Sequence, residues 1–211
     1  SRLTESKKNH VMLISGRDSA TLESWFRNAA IDIVAEHGSK HKARDSDNWE
    51  CAPEITLDWK ESARVVVEKY VNEIPGSFAE EKEYSIAWHY RGVENFNEES
   101  VKLALSRELL MLNMQDDFDI LHGNKVVEIK STFTSKGRFI NRFLKNKDYD
   151  FVLAIGDDLT DEDMFKVLKE KHHYTIKVGM GGTAACYNVI GVNNVLSFLD
   201  QMSSYRDPVF R

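Results

Sequence analysis

Apolar residues first gather at Val11–Ser15 (VMLIS), a short run closed by Gly16, which predicts a buried parallel strand. The next stretch places Leu22, Trp25, Phe26 and Ala29 at i, i+3, i+4 and i+7, one face of an amphipathic helix. Ile31–Ala35 (IDIVA) reads as a second strand. Strand, helix, strand is the alternation of a parallel α/β sheet.

From residue 58 the pattern changes. Asp58 is placed to cap a helix with Glu61 at the capping-box position, and Pro75-Gly76 ends it. Tyr84, Ile86, Trp88 and Tyr90 alternate with Ser85, Ala87, His89 and Arg91, the period-two signature of a strand with one buried face. That alternation sends Arg91 to the face away from the aromatic row, where it can point into a cleft. A helix over Glu98–Asn113 leads to Phe118–His122, and Gly123-Asn124 reads as a tight turn into Lys125–Lys130, an antiparallel hairpin. The α/β pattern then resumes. It has a helix from Lys136 to about Lys145, a strand Phe151–Ile155, a helix Met164–Lys171, a strand Tyr174–Val178 and a closing helix Val195–Met202. The expected fold is α/β: a parallel-sheet Rossmannoid core over 1–39 and 132–211, interrupted by an inserted α+β cap over 40–131.

A net charge of −6 argues against a nucleic-acid partner, because polyanions are held by clustered Lys and Arg. It still allows a small phosphorylated substrate, since a metal ion can supply positive charge locally. No apolar run approaches the roughly 20 residues that cross a bilayer, so no membrane partner is expected. Cys51 and Cys186 show no paired spacing and read as ordinary core thiols of a reducing compartment, which makes the cytoplasm the expected location.

The sharpest chemical signal follows the strand FVLAIG. Asp157, Asp158, Asp161, Glu162 and Asp163 place five carboxylates in seven residues, which repel one another unless something positive sits among them. They stand at the carboxyl end of an apolar strand, where open α/β sheets place their ligand crevices. Mg²⁺ suits such a loop, being held by one or two carboxylates plus water and phosphate oxygens. The competing reading is a helix start, with Thr160 or Asp161 as cap and Glu162 and Asp163 facing the dipole. Both hold together if Asp157 serves the metal, supported by Asp158 and Asp161, and the last two carboxylates serve the helix.

GDDLTDEDMF (Gly156–Phe165), with SGR (Ser15–Arg17) upstream and a lone KG (Lys136-Gly137) between them, resembles the haloacid-dehalogenase phosphatase superfamily. AEHG (Ala35–Gly38), EEKEYSIAWHYR (Glu80–Arg91) and GNKVVEIK (Gly123–Lys130) resemble the trehalose-6-phosphate phosphatase family within it. The blocks run in family order across nearly all of the chain. The resemblance implies a haloacid-dehalogenase-like core and Mg²⁺-dependent hydrolysis of trehalose 6-phosphate through an aspartyl-phosphate. It also implies a trehalose-6-phosphate synthase fused to the chain or in complex with it. Ser15 would hydrogen-bond the transferring phosphoryl group, against the alternative of capping the next helix. Lys136 would neutralise phosphate and nucleophile; a Lys at a helix start opposes the dipole, so a purely structural role is less natural. Arg17 would orient the loop or the substrate, or form an ordinary ion pair.

The sugar would be met by Glu80, Lys82, Arg91, Asn124 and Glu128, each set against the alternative of a solvated surface charge. Asn124 stands where the family pattern has Lys, and Lys130-Ser131 replaces a more usual Arg-Pro. His37 either lines the cleft or is a satisfied structural histidine. The family's nucleophile lies in a DxDGT motif on the strand before SGR, and Ser1–His10 does not contain it. The expectation is therefore a piece of a longer protein. Two other readings stay open: a non-catalytic partner in a trehalose-synthesis complex, or a phosphatase for another sugar phosphate.

Overall fold

A computed structural model describes residues 2–53, 55–113, 115–170 and 173–204. The chain divides into two compact units, one formed by residues 1–50 and 135–211, the other by 51–134.

The first unit opens with α1 (Arg2–Glu5), β1 (Met12–Ile14), α2 (Ser19–Phe26), β2 (Asp32–Ala35), β3 (Lys40–Lys42) and β4 (Glu50–Cys51). β1 and β2 pair in parallel, Leu13 opposite Ile33, as the apolar runs predict. Asp18 caps α2 by accepting from the Thr21 amide at 2.8 Å, so the helix starts directly after the SGR turn. Its predicted apolar face is only partly used. Leu22 is buried, but Trp25 is exposed and Ala29 lies beyond the helix end. β3 turns back antiparallel to β2, which keeps residues 40–50 in this unit and moves the start of the insertion from the expected 40 to 51.

The second unit contains α3 (Asp58–Glu73), β5 (Phe78–Glu81), β6 (Ser85–His89), α4 (Glu98–Leu112), β7 (Phe118–Gly123) and β8 (Val126–Ser131). Its antiparallel sheet runs β5-β6-β8-β7. Ile86, Trp88 and Tyr90 from the β6 segment meet Val127 and Ile129 of β8, and α3 and α4 cover that face with Ala63, Val67, Leu105 and Leu109. Asp58 is the first residue of α3 rather than its cap; Leu57 holds the cap position and makes no side-chain bond. The hairpin turn falls one residue later than Gly123-Asn124. Gly123 pairs with Val126, and Lys125 takes the left-handed backbone at φ 62°.

The chain then completes the first unit with α5 (Lys136–Leu144), β9 (Leu153–Gly156), α6 (Asp161–Glu170), β10 (Tyr174–Val178), β11 (Tyr187–Val189) and α7 (Val192–Ser204). The expected end of the sixth helix at Lys171 lies outside the described residues. β9, β10 and β11 form a parallel sheet in the order β11-β10-β9. Val34, Phe139, Ile140, Ala154, Met164 and Phe165 share one core cluster, so β2, α5, β9 and α6 pack together. Both cysteines are exposed, against the core positions expected. Cys51 stands in the two-residue strand β4 and Cys186 directly precedes β11, so neither sits on a buried strand face. Among the described residues no helix is long and apolar enough to cross a membrane.

Candidate active site

Four segments of the first unit meet around the carboxyl ends of its parallel strands. The first is the turn after β1. Ser15 is fixed there through its backbone, its amide donating to the Val34 carbonyl at 2.9 Å. Its Oγ accepts the Arg17 amide at 3.2 Å. The Arg17 guanidinium sits 4.8 Å from the centre of the Trp25 ring, so it stacks on an aromatic face.

The second segment is the corner Glu36–Gly38, which follows β2 and lies against that turn. The Glu36 amide donates to the Arg17 carbonyl and the His37 amide to the Ser15 carbonyl, each at 3.0 Å. The third is the start of α5. Ser135 caps it by accepting the Arg138 amide at 3.1 Å, and Lys136 follows, only 6% exposed. Gly137 is demanded by packing, since a Cβ there would fall 2.6 Å from the Asp163 carbonyl on α6. That close approach lets Lys136 reach across the helix pair.

The fourth segment is the acidic loop, and the structure separates its carboxylates. Asp161 is 5% exposed, with Oδ1 2.8 Å from Lys136 Nζ and Oδ2 accepting the Asp158 amide at 2.9 Å. It lies so close over Gly156 that no Cβ fits there. Asp158 is exposed and its Oδ1 accepts the Leu159 amide at 2.6 Å. Asp157 is also exposed, and its carbonyl accepts from Lys177 Nζ at 2.5 Å. Glu162 accepts from Thr183 Oγ1 at 2.8 Å and from the Ala184 amide at 2.7 Å, tying the first turn of α6 to the loop after β10.

Of the expected metal set, Asp157 and Asp158 are exposed and Asp161 is buried. Asp161 is turned inward to the Lys136 ammonium and an amide, both of which compete with a cation for its oxygens. Among the described residues no three His, Cys, Asp or Glu side chains are grouped to hold a metal.

The sugar-binding candidates belong to the second unit. Cross-strand pairing aligns Glu80 with Ala87, and Ala87 with Glu128, on the sheet face opposite the Trp88 and Val127 core row. Lys82 Nζ and Ser85 Oγ both donate to Glu128 Oε1, at 2.9 and 2.8 Å. Glu80 Oε2 lies 2.7 Å from His89 Nε2, and Phe78 stacks on the His89 ring at 4.8 Å. Arg91 lies just past the strand. β6 ends at His89, so the alternation stops short of Arg91, which is exposed in a turn and donates to the Asn124 carbonyl at 3.2 Å.

Sequence reasoning missed Lys177 and left the role of the Glu36–Gly38 corner open between cleft and structure. Lys177 sits inside an ordinary strand pattern and carries no motif signal. The Glu36–Gly38 corner had a signal in AEHG, but no chemistry in those letters says that the corner touches the SGR turn.

Residues 1–187 match the sequence profile of the trehalose-phosphatase family. A bifunctional trehalose-6-phosphate synthase/phosphatase from Thermoproteus tenax is 34% identical over 96% of this chain and 27% of its own length. An alpha,alpha-trehalose-phosphate synthase from Dictyostelium discoideum is 36% identical over 84% of this chain and 23% of its own. The chain thus spans about a quarter of the length of these curated relatives. The C-terminal domain of a C. albicans trehalose-6-phosphate phosphatase superposes with a TM-score of 0.83 at 27% identity, covering 97% of this chain and 81% of that one. The fold is the haloacid-dehalogenase-like α/β fold expected from the sequence.

Proposed function

The chain belongs to the trehalose-phosphatase family, and on that premise we propose that it is the phosphatase region of a protein that hydrolyses trehalose 6-phosphate to trehalose and phosphate. The observation that carries the reading is the buried Lys136–Asp161 pair at 2.8 Å, next to a loop whose first carboxylate, Asp157, is exposed. Asp161 holds the ammonium in place, and an incoming phosphoryl group competes for its charge. Ser15 Oγ already accepts the Arg17 amide, so its hydroxyl hydrogen is the part left to donate to a phosphoryl oxygen.

Asp157, with Asp158, supplies the hard oxygen donors that Mg²⁺ takes, and one or two carboxylates suffice for an ion that keeps water and phosphate as its other ligands. Bound there, Mg²⁺ would offset the charge of the phosphoryl oxygens. Hydrolysis proceeds through an aspartyl-phosphate: a carboxylate attacks phosphorus, trehalose leaves with a proton, and water then attacks the phosphorus and returns the carboxylate. The attacking aspartate is not identified among these 211 residues. β1 and β9 each end their sheet with an edge that has no strand partner among the described residues, which suits a further strand. The second unit acts as the cap, with Glu80, Lys82 and Glu128 choosing the sugar through its hydroxyls. One relative is named a bifunctional synthase/phosphatase and the other a synthase, which supports a synthase fused or bound to this chain.

The test is phosphate release by the full-length protein from trehalose 6-phosphate, sucrose phosphate, mannosylglycerate phosphate and glucose 6-phosphate, with and without Mg²⁺. Trehalose 6-phosphate is expected to give the highest kcat/KM, and chelation to abolish turnover. A better rival substrate overturns the specificity, and no release from any overturns the enzyme.

A further inference from the structure

The corner after β2 has no role in the mechanism above, yet its backbone is unusual. Glu36 and His37 both adopt left-handed conformations, at φ 45° and 58°, and both are buried, at 3% and 5% exposure. A Cβ disfavours that conformation, and two such residues in sequence persist only where their surroundings fix them. Here the surroundings are specific. The two amides donate to the Arg17 and Ser15 carbonyls at 3.0 Å, and Ser39 Oγ donates to the Glu36 carbonyl at 2.6 Å.

The next residue, Gly38 at φ 107°, touches the other side of the site. A Cβ there would stand 2.8 Å from Phe139 Cβ and 3.0 Å from the Ser135 carbonyl, at the start of the helix that carries Lys136. The His37 ring in turn covers Gly16. A Cβ on Gly16 would fall 2.5 Å from both Cε1 and Nε2 of the imidazole. One strained corner therefore bears on the Ser15–Arg17 turn and on the entry to α5.

We propose that His37 is a positioning residue, its imidazole clamped over Gly16 so that the Ser15–Arg17 turn keeps one arrangement relative to Lys136. The ring does not need to touch substrate. It acts by steric contact, and the strained backbone holds it in place. The proposal rests on the phosphatase reading for its kinetic consequence, while its steric part stands on the contact alone.

The test is a two-by-two cycle of Gly16→Ala and His37→Ala in the full-length protein, read by phosphate release and by thermal melting. His37→Ala is expected to lower kcat about tenfold with KM within twofold, because the turn loosens where the transferring group is met. Gly16→Ala is expected to cost about 100-fold in the wild-type background, since its methyl collides with the ring and shifts the turn. In the His37→Ala background the same change should cost less than about threefold, because the methyl enters the vacated space. His37→Asn tolerates left-handed backbone, so it should melt like the wild type and still lose about tenfold in kcat. Equal costs of Gly16→Ala in both backgrounds overturn the clamp, as does a wild-type kcat in His37→Asn. If the wild-type protein releases no phosphate, the phosphatase reading fails separately. The clamp is then judged by melting, where additive shifts overturn it and a rescued double variant sustains it.

Discussion

Asp32 and Asp161, two of the buried carboxylates in the first unit, stand at the amino end of one strand and beyond the carboxyl end of another, and they are balanced differently. Asp32 opens β2 and is 1% exposed. His10 Nε2 lies 2.9 Å from one oxygen and His41 Nε2 2.8 Å from the other, and the Arg44 amide donates at 3.1 Å. Phe139 and Phe143 hold these rings edge-on, and the Tyr149 hydroxyl lies 2.8 Å from His10 Nδ1. Burial alone would raise the Asp32 carboxyl; the hydrogen bonds from His41 and the Arg44 amide, with the charge of His10, outweigh it and hold the group at about 2. Asp161 depends instead on a single cation, Lys136, and one amide. A carboxylate surrounded by rigid donors is a stability element. A carboxylate balanced by one flexible ammonium keeps that ammonium where another anion can compete for it.

The largest effect should come from breaking the second arrangement. Lys136→Ala leaves Asp161 buried without its cation, an expected loss of about 3–5 kcal/mol in urea melts. Phosphate release should fall by about 10³-fold, because the charge proposed to meet the phosphoryl group is gone. Adding Asp161→Leu to Lys136→Met should recover most of the stability and none of the activity. If the pair of changes is as unstable as Lys136→Ala alone, Asp161 does not rely on Lys136.

This comparison also marks what the sequence could reveal. The acidic loop and the lone Lys136-Gly137 were readable because chemistry limits which residues cluster at a strand end. That Asp161 belongs to Lys136 was not readable, because the pairing depends on Gly137 letting α5 approach α6. The β6 alternation gave its buried row correctly, since period two is a local property. It could not give the partner of Arg91, the Asn124 carbonyl, which comes from the hairpin turn after β7. Asp32, inside IDIVA, passed as one polar residue in a strand, since its partners His10 and His41 come from separate segments.

The first arrangement should break with a smaller loss and a different signature. The Asp32 carboxyl is lowered from 3.8 to about 2, so its ionised form stabilises the fold above the unfolded value. That contribution is complete above about pH 4 and is lost as pH falls through about 2, and it amounts to about 2 kcal/mol. Asp32→Asn should therefore lower stability by about 2 kcal/mol near neutrality and flatten the decline between pH 4 and 2. Its kcat should stay within twofold of the wild type. A large kcat loss at unchanged stability would assign Asp32 to the chemistry and erase its difference from Asp161.

Glu128 tests whether the distinction extends to the antiparallel sheet of the second unit, proposed to meet the sugar. It accepts from both Lys82 and Ser85, so it is held more like Asp32 than Asp161. Glu128→Gln keeps the shape and removes the charge. The expected result is a KM for trehalose 6-phosphate raised about tenfold with kcat nearly unchanged, as for a group that binds substrate and transition state alike. A kcat loss without a KM change would move Glu128 from binding to catalysis.

The smallest effect should be found on the outer side of the Ser15–Arg17 turn. Inside, that turn meets the buried His37 ring; outside, the Arg17 guanidinium lies on Trp25, which is 58% exposed. An exposed cation–π contact contributes about 0.5–1 kcal/mol because water competes for the guanidinium. Trp25→Ala should accordingly lower stability by about that amount and leave kcat within twofold. On the clamp proposal the inner contact, a buried ring against Gly16, restrains the turn, while the outer one covers a charge that solvent serves nearly as well. A tenfold fall in kcat for Trp25→Ala would reverse this order and make the Arg17 stack, rather than the imidazole, the main restraint on the turn.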